Sequence, residues 1–169
     1  MRTRLATRDD AEAIRGIYNV EVLGSTVTFD MVPRTHESQL AWLEDHSGVY
    51  PVIVAVEDGD VGVDVGDAVV GFASLSPYRS RPAYSTTVED SVYVHDGHRG
   101  RGVGGLLLEN LVDLAAVHGF HAIMARIVDG HAASIALHRA CGFELVGIER
   151  QIGRKFNKWL DVALMERLL

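Results

Sequence analysis

The sequence predicts a mixed α/β protein: a largely antiparallel sheet with one helical crossover at its middle. Three observations carry this reading. Short β-branched runs such as Pro51-Val52-Ile53-Val54-Ala55-Val56 alternate along the chain with stretches whose apolar residues recur at helical spacing. Two of these runs, 51–56 and 68–75, flank a Gly/Asp-rich segment that suits an antiparallel hairpin with a loose polar turn. An alternating run ending at Val94 passes through a glycine-rich, basic turn and directly into an amphipathic helix.

Each element has its own signal. Residues 2–6 alternate weakly and form a first strand. Thr7-Arg8-Asp9-Asp10 resembles a capping box, and Ala11, Ile14, Ile17 and Tyr18 then recur at helical spacing to about Val22. Residues 24–33 read as a loop with an apolar plug at Phe29, and 35–46 as a second helix with Leu40 and Leu43 on one side. After the 51–56 and 68–75 strands, Thr86–Val94 is the next strand. The helix from Gly102 ends near His118, because Gly119 suits the left-handed residue that closes helices. A strand at 122–128, a helix at 132–140 stopped by Gly142, and strands at about 143–150 and 158–166 complete the order. With no repeat, linker or low-complexity tract, residues 1–169 read as one domain.

Composition excludes several classes of function. The chain has 169 residues, 47% of them hydrophobic, without a continuous apolar run long enough for a membrane span. A formal net charge of -7 with no long basic stripe argues against nucleic acid as a partner. The first residues lack a signal peptide's apolar stretch, and the single cysteine, Cys141, forbids an internal disulfide, so a reducing, cytoplasmic setting is expected. The acidic positions Asp58, Asp60, Asp64 and Asp67 read as solvated turn residues. His95-x-x-His98 and His118-x-x-His121 imitate metal spacing, yet nothing completes a coordination set, so no metal is expected.

The segment from Arg99 to Gly105 is the main functional signal. The first amides of a helix lack intrahelical partners and carry partial positive charge. Glycines at 100, 102, 104 and 105 let a diphosphate approach the backbone, and Arg99 and Arg101 add charge-assisted donors. Gly100-x-Gly102-x-x-Gly105 also fits a dinucleotide fingerprint, with Asp129 near the expected ~20 residues on. Such a motif usually opens its domain, whereas here more than half of the chain precedes it.

Further motifs narrow the choice. Ile17-Tyr18-Asn19, Ser25-Thr26-Val27-Thr28-Phe29, Ser76-Pro77-Tyr78-Arg79, Arg81-Pro82-Ala83-Tyr84, Thr87-Val88-Glu89-Asp90-Ser91-Val92-Tyr93-Val94, Ser134-Ile135-Ala136-Leu137-His138-Arg139-Ala140-Cys141-Gly142-Phe143, Gly153-Arg154-Lys155-Phe156 and Trp159-Leu160-Asp161-Val162 occur in this order. Together they resemble the phosphinothricin / methionine sulfone (sulfoximine) acetyltransferase subfamily of the GNAT N-acetyltransferases, over residues 14–165. Arg99-x-x-Gly102-x-Gly104 resembles that family's coenzyme A pyrophosphate loop. The resemblance implies a GNAT fold: a mixed, mostly antiparallel sheet of six to seven strands with helices on both faces.

It also implies roles for particular residues. Val92, Tyr93 and Val94 would pair through their backbone with the pantetheine arm of acetyl-CoA, with an amide at Val94 facing the thioester oxygen. Arg99, Gly100, Arg101, Gly102, Val103, Gly104 and Gly105 would hold the diphosphate. Glu89 is the implied general base and His138 the implied proton donor to the departing thiolate, in place of the tyrosine of many relatives. Ser134 and His131 would contact the cofactor arm, although the family normally has asparagine at the position of His131. Arg79, Arg81, Tyr84 and Phe29 would form the substrate pocket, two guanidiniums suiting a carboxylate. Arg154 and Lys155 could face substrate, hold a 3′-phosphate or be simply exposed. The expected activity is direct acetyl transfer from acetyl-CoA to the amine of a small amino-acid-like substrate, in a homodimer. A GNAT acting on a protein N-terminus or lysine, and a non-catalytic CoA-binding sensor, remain alternatives.

Overall fold

The structure, a computed structural model, describes residues 1–57, 67–128 and 130–169. The elements follow the order expected: β1 (Arg2–Leu5), α1 (Ala11–Gly24), α2 (His36–Asp45), β2 (Val52–Glu57), β3 (Ala68–Pro77), β4 (Thr87–Val94), α3 (Val103–Val117), β5 (Ala122–Val128), α4 (Ala132–Ala140), β6 (Glu144–Lys155) and β7 (Lys158–Leu168). The acidic positions 58, 60 and 64, and Asp129, lie outside the described residues. Asp67 is described; it is partly exposed and pairs with Arg2 and Arg4.

The seven strands form one sheet in the order β1-β2-β3-β4-β5-β7-β6. Every described pairing is antiparallel except β4 with β5. That junction follows from chemistry: a parallel neighbour needs a long crossover, which α3 supplies. Side chains alternate between the two faces. Val52, Val54, Val56 and Phe72 pack under α1 and α2, against Ile14, Ile17, Tyr18, Trp42 and Leu43. Ile53, Ala55, Ala73, Leu75, Val88, Ile123, Ala125 and Ile127 pack under α3, against Val103, Leu107, Leu108 and Leu111. In α2 the fully buried position is Gln39, not Leu40.

Local chemistry sets the element ends. Asp10 accepts the Thr7 amide at 2.7 Å and holds Arg4 through both carboxylate oxygens, at 2.7 and 2.8 Å. Gly119 and Gly142 close α3 and α4 at φ +80° and +81°, as their positions predicted. β6 is the main departure: it runs to Lys155 instead of ending near 150. Its ladder with β7 slips between Leu145 and Gly147 and again between Glu149 and Gly153, and Gln151 takes φ +51°. Bulges of this kind insert residues out of alternation, so the strand continues where its sequence period breaks.

Candidate active site

β4 and β5 are paired only over Thr87–Glu89 and Ala122–Met124. Beyond these pairs the strands part, opening a wedge in the middle of the sheet. His95 donates its amide to Val70 and Tyr78 donates to Thr87, so the odd-numbered residues of β4 bond towards β3. The amides and carbonyls of Val92 and Val94 therefore turn into the wedge, whereas those of Tyr93 serve the β3 ladder. The Tyr93 ring stacks on Phe72, with centroids 5.1 Å apart, on the α1 face. Burial pushes the Tyr93 phenol well above its ordinary range.

The wedge leads into a cleft of about 470 Å³ bounded by Val92, Val94, Ala125–Val128, the 98–105 loop and the start of α4. At its mouth Gly100 and Gly102 have φ +72° and +82°, conformations that side chains resist. The first described intrahelical bond of α3 runs from Leu106 to Gly102, leaving the amides of Val103, Gly104 and Gly105 to a ligand or water. A Cβ at Gly104 would press Leu137 at 3.1 Å, whereas one at Gly105 would meet nothing within 4 Å. Space beside unpaired helix amides fits a diphosphate. Arg99 is held by Glu21, by Asp96 at 2.8 Å and by the Val94 carbonyl at 3.4 Å, and Arg101 by Glu57 at 3.1 Å. A bound anion would have to exchange with these carboxylates.

Glu89 stands at the last ladder pair, where the strands begin to part. Burial pushes its carboxyl above the ordinary range; Arg126 opposes that shift, while Asp90 and Glu149 add to it. A carboxyl so raised is suited to exchanging protons. Arg126 lines the cleft on β5 and donates to Glu149 on β6 at 2.7 Å. Arg79 also acts on Glu89 electrostatically and Glu149 on Arg79, so Glu89, Arg126, Glu149 and Arg79 form one group.

His138 lies on the opposite face of the sheet from Glu89, because Asp90, its partner, alternates with Glu89 along β4. His138 Nε2 is 3.0 Å from Asp90 Oδ2 and Nδ1 is 2.8 Å from the Ser134 carbonyl. Burial lowers the affinity of this imidazole for a proton, but the bonds and charge of Asp90, aided by Ser134, outweigh burial and raise it overall. Asp90, Arg126 and Glu149 were not singled out from the sequence. One signal was available: adjacent carboxylates at 89 and 90 on a strand must face opposite sides.

The remaining positions divide. His131 and Ser134 line the cleft, His131 preceding the first turn of α4. Arg79, Arg81 and Tyr84 surround a separate hollow of about 510 Å³ beside the short turn Pro82–Tyr84. There Arg79 lies over Tyr78, 4.9 Å from its centroid, and bonds its hydroxyl at 3.3 Å. Phe29 lies directly over Gly153 of β6, where a Cβ would collide with its ring. Lys155 takes none of its three expected roles: it is buried and donates to the Thr28 carbonyl at 2.8 Å, fixing the Phe29 loop to β6. Arg154 is exposed, over Trp159. Cys141 is buried as expected for a small hydrophobe. Among the described residues no group of three or more His, Cys, Asp or Glu side chains is placed to hold a metal.

The model of the acetyltransferase (GNAT) family matches residues 14–143. The chain is 38% identical to a phosphinothricin N-acetyltransferase of Streptomyces coelicolor, covering 100% of this chain and 96% of that protein. It is also 38% identical to an L-methionine sulfoximine/L-methionine sulfone acetyltransferase of Pseudomonas aeruginosa, covering 93% and 88%. A ribosomal-protein-alanine N-acetyltransferase from Brucella melitensis superposes with a TM-score of 0.93 at 37% identity, with full coverage of both chains. The yncA acetyltransferase from Salmonella typhimurium, solved with its cofactor acetyl-CoA, gives 0.93 at 38% identity, covering 100% of this chain and 94% of that one. With a family match over most of its length and this fold, the chain belongs to the GNAT acetyltransferase family and is an N-acetyltransferase.

Proposed function

We propose that this protein transfers an acetyl group from acetyl-CoA to the α-amine of a small amino-acid-like substrate of the phosphinothricin, methionine sulfone or methionine sulfoximine type. The observation that carries the reading is the wedge between β4 and β5, with a raised carboxyl, Glu89, standing where the strands part. Relatives named for those substrates support the substrate class.

Acetyl-CoA supplies an acyl group already activated as a thioester. Val92 and Val94 hold its arm through their backbone, with His131 and Ser134 beside it. The amides of residues 103–105 bind the diphosphate, with Arg99 and Arg101 released from their carboxylate partners. Glu89 takes the proton from the substrate ammonium, which frees the nitrogen lone pair for attack. The Val94 amide stabilises charge on the carbonyl oxygen. His138 returns a proton from Nε2 to the departing sulfur. Arg79, Arg81 and Tyr84 receive the substrate carboxylate, and Phe29 walls the pocket. Transfer is direct, because the buried Cys141, whose thiol burial pushes up, is a poor nucleophile.

The same proposal has the protein acting as one domain, as a cytoplasmic homodimer. The exposed apolar residues Leu145, Val146, Ile148 and Ile152 on the sheet-edge strand β6 support self-association. The Brucella relative supports a second reading, in which a protein N-terminal amine is acetylated. Thiol release from acetyl-CoA, measured with methionine sulfone, phosphinothricin, lysine and a short peptide, separates the two. Saturable turnover on the amino-acid analogues alone supports the small-substrate reading. Turnover on the peptide alone replaces it, and acetyl-CoA binding with silence on all four leaves a sensor.

A further inference from the structure

We propose that Asp90 is a positioning residue that holds His138 as an imidazolium bridging the two walls of the cleft, ready to return a proton during acetyl transfer. This rests on the transfer reading above. Three observations carry it. The first is the placement of both ring nitrogens against acceptors: Nε2 against Asp90 Oδ2 at 3.0 Å, and Nδ1 against the Ser134 carbonyl at 2.8 Å. A neutral imidazole has only one N–H, so one of these contacts would set two lone pairs against each other. With Asp90 ionised, both are satisfied only when the ring carries two protons.

The second observation is location. Asp90 belongs to β4, one wall of the wedge, and His138 to α4, which follows β5 on the other. The side chains are 2% and 5% exposed, and their bond spans the sheet's parting one residue past the last pair, Glu89 with Met124. Burial at this depth favours pairing a carboxylate with a cation. The third is an oxygen without a partner: Asp90 Oδ1 is buried and accepts no hydrogen bond among the described residues, in a residue that borders the cleft. Buried carboxylate oxygens are normally saturated, so one left without a partner beside the cleft asks for a role beyond packing.

Few other charges act on the ring. Phe143 presents its ring edge-on with centroids 5.1 Å apart, and Ala125 and Ile127 of β5 are apolar. Cys141 ends the same helix, and Glu109 of α3 and Arg167 of β7 act on that thiol. Asp90 is therefore the carboxylate that governs His138. As the C–S bond breaks, its electron pair stays on sulfur and takes up the Nε2 proton. That step yields the free thiol and a neutral imidazole, which regains its proton from solvent. Asp90 keeps its charge throughout.

Asp90→Asn tests this, because the amide keeps the shape and an acceptor oxygen but removes the charge. The first readout needs no substrate: ring resonances of His138, assigned by their loss in His138→Gln, followed against pH by NMR. In the native protein they should remain those of an imidazolium above the ordinary histidine range, and in Asp90→Asn they should titrate at lower pH. A native ring that is neutral at pH 7 overturns the proposal, even should the variant fail to fold. So does a ring that titrates identically in both proteins. In the second readout, kcat at pH 8 should fall about tenfold more than at pH 6, with KM for acetyl-CoA unchanged. An equal loss at every pH refutes the proton-returning role. Absence of turnover on any amine while the NMR shift appears would count against the acetyl-transfer reading and leave the Asp90–His138 pair standing.

Discussion

Gly105→Ala separates what the glycine turn does for the fold from what it does for a ligand. Gly105 is the third residue of α3, and a Cβ there meets no atom within 4 Å. Its φ is not in the left-handed region. Alanine therefore costs nothing sterically, and it removes backbone entropy from the unfolded chain, a gain of about 0.5–1 kcal/mol. For a chain of this size that is about +1 to +4 °C in Tm. The free space beside the amide is where a diphosphate would pass, and a methyl group there obstructs one charge-assisted hydrogen bond. Losing about 1.5–3 kcal/mol of that kind weakens binding about ten- to 150-fold. Differential scanning fluorimetry without ligand, together with calorimetric titration of coenzyme A, reads both numbers. A stabilised variant that binds coenzyme A with unchanged affinity would refute the diphosphate site at the start of α3. The contrasting Gly102→Ala, with φ +82° at the native residue, should lose about 1–2 kcal/mol of stability from backbone strain alone.

Three further outcomes are expected. Glu89→Gln should lower kcat/KM about 10²–10⁴-fold, as loss of a general base does. The variant should be at least as thermostable as the native protein near neutral pH, and a clear drop in Tm would argue against the sign assigned to this group. The folded protein raises this carboxyl above its unfolded value, so stability declines as pH climbs from the unfolded to the folded pKa, and the amide escapes that penalty. Arg126→Gln removes the charge that holds the Glu89 carboxyl down, so the acidic limb of the pH profile of kcat/KM should move to higher pH; an unmoved limb would detach Arg126 from the site. Lys155→Met leaves the Thr28 carbonyl without its donor, at a cost of about 1–3 kcal/mol, and loosens the Phe29 loop. The amine KM should rise while coenzyme A affinity holds, and the reverse pattern would contradict this account of Lys155.

Much of the fold is written locally. Gly119 and Gly142 are needed where helices end, and the β-branched run at 52–56 is too short and too uniformly apolar for anything but a strand buried on both faces. The parts that escape a reading of the sequence are those decided by register and distance. β6 hides its last third because two slips and a positive φ at Gln151 destroy the alternation that reveals strands. Asp90 meets His138 across 48 residues, and Arg99 meets Glu21 across 78; no local pattern predicts either contact. Motif resemblance points to residues expected to touch ligands, such as Glu89 and Gly102. It is silent on side chains that tune them in this chain, which is why Arg126 and Asp90 emerge only once strand faces are fixed.

The parting of β4 from β5 has a mechanical consequence. Four strands form one panel and three form another, and the seam between their backbones is only three residue pairs long. An extended guest whose amides pair with Val92 and Val94 lengthens that seam, so it acts as a keystone. Occupancy then becomes rigidity, in proportion to RT ln(1 + [L]/Kd). The amides of Val92 and Val94 should thus be among those whose hydrogen exchange slows most when coenzyme A binds, while the ladders of β2 with β3 and β6 with β7 keep their own pace.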